Sequence, residues 1–312
     1  MSKKKKIYHR NDARASLISM GLSARRILYL TIVQQNRDDD GVILFDENKI
    51  YRITAKDYAQ LCGIDTSVAY KQLKEGVEEI RTHLMRIPQS ELLSSDEMKK
   101  RPKDGMLLFT LANYGFYSDG AGYIEVKLDP IVAPYVSNLK NNFTSQFLLS
   151  GLRLPDSNAN KLYILLREWI SAGMSAFKDI SVEELKYQLM INDTKTYNSF
   201  KRFTDLFFKR AVKKIIETTE FSKIDIEIIE RQKRKAYMVR ISYEYNEQKQ
   251  HFKDAGFITG SNKKSKTEKL GAKNNIENKH EKLDKKEELK QIKGRFYDKK
   301  TAEASGYNWD DY

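Results

Sequence analysis

One run of residue types occurs twice in this chain. At a single constant offset Ile53 falls on Ile180, Thr54 on Ser181, Tyr58 on Leu185, Cys62 on Leu189, Ile64 on Ile191, Asp65 on Asn192, Tyr70 on Tyr197 and Leu73 on Phe200. A repeat constrains architecture before any motif does, because each copy has to be one supersecondary unit with its own buried face. In both copies a hydroxyl residue stands at a helix N-cap position, apolar residues follow at helical spacing, and a short polar side chain marks a turn before a second amphipathic run. The pattern predicts helix, turn, helix, twice over.

The second copy is the more legible. Ser181 with Glu184 makes a capping box, Val182, Leu185 and Leu189 supply an apolar stripe, and Asn192-Asp193-Thr194 is turn chemistry. A long helix is then predicted from about Tyr197, with Phe200, Phe203, Phe207, Ala211 and Ile215 as its core side. Its other side carries Asn198, Lys201, Arg202, Asp205, Lys209 and Lys213. Ile224, Ile226 and Ile228 alternate with polar residues, as do Tyr237, Val239, Ile241 and Tyr243, so two half-buried strands flank the cationic run Arg231-Gln232-Lys233-Arg234-Lys235. Helix, turn, long helix and hairpin make a winged helix-turn-helix.

The chain around the repeat falls into five segments. Residues 1–16 are basic and polar without a periodic pattern, and read as an arm that orders on a partner. Residues 17–130 form the first winged-helix domain. A buried helix containing Ala24, Ile27, Leu28, Leu30, Thr31 and Val33 precedes the first copy of the repeat. Strands are expected at 83–87, 107–111, 114–117 and 123–128, with Asp119-Gly-Ala-Gly122 as a hairpin turn and an exposed loop over 89–103. Residues 131–155 read as a helical connector, opened by Asp129-Pro130, helical to about Leu149 and ended by Pro155. Residues 156–245 are the second domain, opened by a helix from Asn158 to Ile170. Past Tyr245, Lys, Glu, Asn and Ser dominate, so residues 246–312 are expected to be a lysine-rich, mostly disordered tail. Glu281 to Lys293 is read there as a short charged helix, and Tyr307-Asn-Trp-Asp-Asp-Tyr312 as a docking peptide. The fold class is therefore α+β: two tandem winged helix-turn-helix domains with a disordered basic C-terminal tail.

Charge selects the class of partner. Lys and Arg number 56 against 43 Asp and Glu, for a formal charge of +13, so a polyanion comes first. No stretch approaches the roughly 18 apolar residues of a membrane span, and the expected location is cytoplasmic, without membrane contact. The single cysteine, Cys62, excludes an internal disulfide and a cysteine-built zinc site. No metal and no cofactor is expected. Catalysis on DNA finds no support either. His83-Leu-Met-Arg86 has the His-x-x-Arg spacing of tyrosine recombinases, but alternating His83, Met85 and Ile87 suit a strand. Histidines 9, 83, 251 and 280 are too scattered for a nickase metal pair, and there is no phosphate-cradling Gly-x-x-x-x-Gly-Lys loop.

A recognition helix reads base edges near its N-terminus while surrounding cations hold phosphate. On that logic Thr196, Asn198, Lys201, Arg202 and Asp205 are the expected base-reading residues. Arg202 is suited to guanine and Asn198 to adenine, each contact worth about 1 to 3 kcal/mol of discrimination. Lys209, Lys213, Lys233, Arg234 and Lys235 are expected on phosphate. The first domain offers Thr66, Ser67, Tyr70, Lys71 and Lys74, a less basic face.

Three features taken in order resemble the RepB-like, iteron-binding family of plasmid replication initiators. They are two winged helices at this spacing, the run Leu128-Asp-Pro-Ile-Val-Ala-Pro-Tyr-Val-Ser-Asn-Leu-Lys-Asn-Asn-Phe-Thr144, and Ala159-Asn-Lys-Leu-Tyr-Ile-Leu-Leu166. The resemblance covers roughly residues 15–245. It implies binding to double-stranded origin repeats called iterons, recruitment of host DnaA and the replicative helicase, repression of the initiator's own gene, copy-number control and a monomer–dimer equilibrium. The alternative within the same fold is a winged-helix transcriptional regulator without an initiation role.

Overall fold

The first described element is a strand, where the sequence reads as a loose arm. The computed structural model describes residues 6–38, 42–89, 102, 104–137, 139, 142–174, 176–192, 195–247, 290–292 and 295–297. Strand β1 (Lys6–Arg10) pairs antiparallel with β9 (Phe143–Phe147), Lys6 opposite Phe147 and Arg10 opposite Phe143. Ile7, His9, Arg10, Asp12 and Ala13 are buried. The arm expected over 1–16 is therefore part of the first core from Lys6 onward. Ile7 and His9 alternate with Lys6 and Tyr8 as a half-buried strand requires. Helix α1 (Arg14–Ser19) follows, then α2 (Leu22–Val33), buried along its whole length from Ala24. A short hairpin of β2 (Asn36–Arg37) and β3 (Ile43–Leu44) comes next.

The first copy of the repeat runs β4 (Tyr51–Thr54), α3 (Ala55–Cys62), α4 (Thr66–Thr82). The Thr54 hydroxyl accepts from the Asp57 N–H, α3 ends at Gly63 in the left-handed region (φ 69°), and the Asp65 carboxylate caps α4 by accepting from the Ser67 N–H. Each cap satisfies a backbone group that the helix end leaves open. The four expected strands are β5 (Leu84–Pro88), β6 (Met106–Thr110), β7 (Ala112–Tyr117) and β8 (Tyr123–Leu128). They divide between two sheets: β5 pairs with β6 alone, while β7 and β8 join β4 in the order β4-β8-β7. Most of the loop expected over 89–103 lies outside the described residues.

The expected connector helix is broken. A tight turn at Pro130–Val132 and α5 (Ala133–Val136) give way to β9, and helical structure resumes only in α6 (Leu148–Arg153). The break has a physical cause, because β1 needs a partner strand and β9 supplies it. In β9 it is Thr144 and Gln146 that are fully buried, so hydrophobic periodicity carries no trace of the strand.

Helix α7 (Ser157–Ser171), capped by Asp156, leads to the second copy: β10 (Phe177–Ser181), then α8 (Val182–Gln188). Ser181 caps α8 as expected. The other half of the capping box does not form, since the Glu184 carboxylate accepts from Gln188 Nε2 at 2.7 Å instead. The long helix, expected from about Tyr197, starts at Phe200 behind its cap Ser199. It comprises α9 (Phe200–Phe203), a wider π turn over Thr204–Phe208, and α10 (Lys209–Thr218). The π turn answers the sequence: spacings of four from Phe203 through Phe207 and Ala211 to Ile215 drift by about 40° per step on an α-helix, and one wider turn absorbs that drift. Phe203, Phe207, Ala211 and Ile215 are accordingly buried together with Phe208, whereas Phe200, expected in the core, is half-buried.

Strands β11 (Phe221–Gln232) and β12 (Lys235–Tyr245) complete a sheet ordered β10-β12-β11. In both copies the strand before the helix pair therefore bonds to the last strand of the wing. Even one ion pair is conserved in place with its charges exchanged. Arg52 of β4 meets Glu125 of β8, and Asp179 of β10 meets Arg240 of β12, each at 2.7 Å and each between directly opposed residues. Two apolar cores result, one formed from Ile7 to Leu152 and the other from Leu154 to Tyr243. Residues 261–312 form a separate unit, in which β13 (Lys290–Ile292) pairs with β14 (Arg295–Tyr297). That pairing replaces the end of the charged helix expected to Lys293, and its six residues are not structureless. The rest of that helix, the terminal aromatic segment and most of the expected tail lie outside the described residues.

Candidate nucleic-acid interface

The second module presents its cations in two places. On the long helix the Ser199 hydroxyl accepts from the Arg202 N–H, which sets Lys201 and Arg202 in the first turn, both exposed. That is the end of the helix that enters a groove first. Thr196 and Asn198 precede the helix, where the sequence had Asn198 on its surface. Thr196 lies in a tight turn at Lys195–Tyr197, and Asn198 lies between that turn and the cap. Lys186 of α8 holds this turn in place: its ammonium donates to the Tyr197 carbonyl at 2.5 Å and lies 5.8 Å from the Phe203 ring centroid. Burial lowers the pKa of Lys186.

Asp205 is already engaged. Lys209, one turn on, donates to it at 2.7 Å, and that hydrogen bond holds the Asp205 carboxyl below the usual carboxylate range. A base amine would have to compete with Lys209 for it. Lys213 is exposed, while Lys214 is turned inward onto Asp156, tying the helix to the cap of α7. Arg210, absent from the sequence-based set, is also exposed. Seven positions after Phe203 it falls on the core side of an ideal α-helix, and the π turn rotates it out.

The wing is the second place. Gln232 pairs with Lys235, leaving Lys233 and Arg234 as a two-residue loop with φ of 45° and 67°. Two positive φ values give the turn whose twist matches that of the flanking strands, and Asn-Gly is the usual sequence for it. Here the tip holds two cations instead, followed by Lys235 and preceded by Arg231. Among the described residues Lys201, Arg202, Arg210, Lys213, Arg231, Lys233, Arg234 and Lys235 have no acidic partner within ion-pair distance.

The first module is arranged differently. Tyr70 of α4 donates to the Ser118 carbonyl at 2.5 Å and accepts from the Gly120 N–H, and Lys74 pairs with Asp119 at 3.3 Å over the Tyr117 ring. The hydrogen bond from Lys74 to Asp119 raises the lysine pKa. Both side chains fasten the turn between β7 and β8 to the helix. Ser67 is bonded to Asp65 through both its N–H and its hydroxyl, Lys71 pairs with Glu75 at 3.8 Å, and Thr66 is exposed. The five residues share one helix surface beside the wing, but most are committed within it. No cluster of metal-ligating side chains occurs among the described residues, and none of their helices is long and apolar enough to cross a membrane.

Residues 6–167 match the family described as Initiator Replication protein, WH1, and residues 181–243 match Initiator Rep protein, WH2. The chain belongs to the initiator replication protein family. Among relatives of this initiator-family chain, the PI protein of Escherichia coli is 28% identical over 269 residues, which covers 79% of this chain and 85% of that protein. An uncharacterized 27.6 kDa protein of Escherichia coli is 25% identical over 181 residues, covering 56% and 71% respectively. A crystal structure of the Pi initiator protein in complex with iteron DNA aligns with a TM-score of 0.65 at 27% identity, over 79% of this chain and all of that one.

Proposed function

We propose that this chain is a sequence-specific double-stranded DNA-binding initiator of plasmid replication that engages origin iterons with both winged helices. One observation carries the reading. Two modules of the same strand order lie in one chain, and in the second the first turn of the long helix and the wing tip both end in cations that have no acidic partner among the described residues. Such a pair of modules spans two successive major-groove contacts, with Lys201 and Arg202 at base edges and Lys233, Arg234 and Lys235 on phosphate. The action is binding rather than chemistry on DNA. The matching fold of the Pi initiator protein, solved in complex with iteron DNA, supports the DNA-binding reading. An operator carrying the same site would be held by the same residues, giving repression of the initiator's own gene.

Selection of bound duplexes from a random pool at two salt concentrations tests this. Salt separates phosphate attraction from base readout. The expected product is one enriched site long enough for two groove contacts, roughly 15 to 22 base pairs. Enrichment of inverted half-sites alone would favour the regulator reading, and absence of any enriched site would overturn sequence-specific binding.

A further inference from the structure

The two apolar cores divide in sequence at Arg153, and a set of polar contacts crosses between them. Glu220 sits at the corner between the end of α10 and the start of β11, so its position governs both the reading helix and the wing. Its carboxylate is almost completely buried and is held by one donor from across the seam, on α6, and by two from α7 of its own core. Oε2 accepts from the Ser150 hydroxyl of α6 at 2.8 Å, and Oε1 accepts from the Tyr163 hydroxyl at 3.1 Å and from Arg167 Nη1 at 3.2 Å, both of α7. Arg167, equally buried, also donates through Nε to the Ser145 carbonyl of β9 at 2.7 Å and reaches Glu247, just past β12, at 3.4 Å. Glu247 in turn pairs with Lys6 of β1 at 3.1 Å. Tyr163 closes the set by accepting from the Phe147 N–H.

A second set of bonds crosses the seam elsewhere. Arg14 of α1 pairs with Glu168 at 2.6 Å and donates to the carbonyl of Gln188, the last residue of α8. Arg26 donates to the Leu154 carbonyl and Arg25 to the Ser157 hydroxyl, each at 2.9 Å. An apolar seam can slide at little cost, whereas a desolvated ion pair with all its hydrogen bonds made has one good geometry. The duplex makes a matching demand, since each added base pair turns the next contact by about 35°.

We infer that Arg167 and Glu220 are positioning residues that fix the spacing of the two DNA contacts, so that the chain reads the length of its site as well as its bases. The inference rests on the DNA-binding reading above. It concerns residues that touch no DNA.

The test uses the full chain and the site selected from the random pool, with zero, one or two base pairs inserted between its two half-contacts. The wild type should lose at least about tenfold in affinity for one inserted pair, the size of an ordinary base mismatch. In Glu220→Gln, which removes the charge and keeps the shape, that penalty should fall to about threefold or less, while discrimination at each base position stays within about twofold of the wild type. A general loss of stability would lower affinity on every duplex alike and leave the spacing penalty where it was; that result in a folded variant overturns the inference. Tolerance of the insertion by the wild type overturns it as well. Should Glu220→Gln fail to fold, Ser150→Ala with Tyr163→Phe removes two neutral donors, leaves the ion pair, and is judged by the same two outcomes. Failure of the pool to yield any site would overturn the DNA reading itself and this inference with it, whereas a clear site with free spacing removes the inference alone.

Discussion

Replacing Lys233-Arg234 by Asn-Gly should separate what the wing turn requires from what a phosphate backbone requires. Both residues sit at positive φ, 45° and 67°, where an L-residue with a full side chain is strained by about 1 to 2 kcal/mol and glycine is not. Asn tolerates the region better than Lys, so the pair of changes should stabilise the hairpin by about 1 to 2 kcal/mol. The wing projects beyond the core, and a global melt would register little of that gain. Amide hydrogen exchange along β11 and β12 reports it directly. Binding should move the other way. Each lost phosphate contact reduces the slope of log affinity against log salt by about 0.9, which at 0.15 M salt is about fivefold in affinity, or about 25-fold for two. The expected result is a better protected wing on a protein that binds all duplexes more weakly and with a shallower salt slope. An unchanged slope would show that these cations do not touch phosphate, and lower protection would show that the turn is not strained.

The remaining expectations concern single sites. Arg202→Ala should relax preference at one base pair of the selected site, a loss of about 1 to 3 kcal/mol of discrimination there; equal weakening on specific and random duplexes would refute base contact. Lys233→Ala alone should weaken binding evenly across sequences, and a loss confined to some sequences would contradict the phosphate role. Phe203→Ala should lower stability by roughly 3 to 5 kcal/mol in urea unfolding, because Phe203 is fully buried against Phe200, Phe207 and Phe208. His9 should make stability depend on pH. Burial lowers its pKa to about 4, and its ring meets the Arg10 carbonyl through Nδ1. The folded chain thus holds His9 neutral while the unfolded chain protonates it near 6.5. Its contribution is whole above about 6.5 and declines as pH falls toward 4, by about 3 kcal/mol in all. Subtracting the unfolding profile of His9→Gln from that of the wild type isolates this term, and a flat difference between pH 4 and 7 would refute it.

Much of the interface is legible in the linear chain, since its elements are local. The caps at Thr54 and Ser181, the turn at Asp65, the alternation of β11 and β12, and the cations between them each depend on neighbours within a turn or a hairpin. Strand order is not legible there, since β4 and β10, which pair with the last strand of each wing, carry no strand reading in the linear chain. The readings that failed share another property. β1 and β9 each lack a convincing pattern alone, and β9 buries Thr144 and Gln146, whose burial is explained only by the strand beside them. Thr144 donates to the Asn11 side chain at 2.9 Å, a partner far away in sequence. The exposure of Arg210 depends likewise on the π turn over Thr204–Phe208.

Sequence by itself determined which faces of the repeat are apolar, where the helices capped by Thr54 and Ser181 begin, and that the chain carries two copies of one unit on a basic protein. Those properties are set by the residue types within a few positions of each other. Tertiary structure decided part of which cations remain without an acidic partner, since Lys74 and Lys214 differ from Lys201, Lys213 and Lys233 in the carboxylates, Asp119 and Asp156, that folding brings beside them from far along the chain. It also decided how the copies are joined. Glu220 and Arg167 look like ordinary surface charges in the linear chain, and only the meeting of α6, α7, β9 and β11 removes both from water and makes each the other's partner.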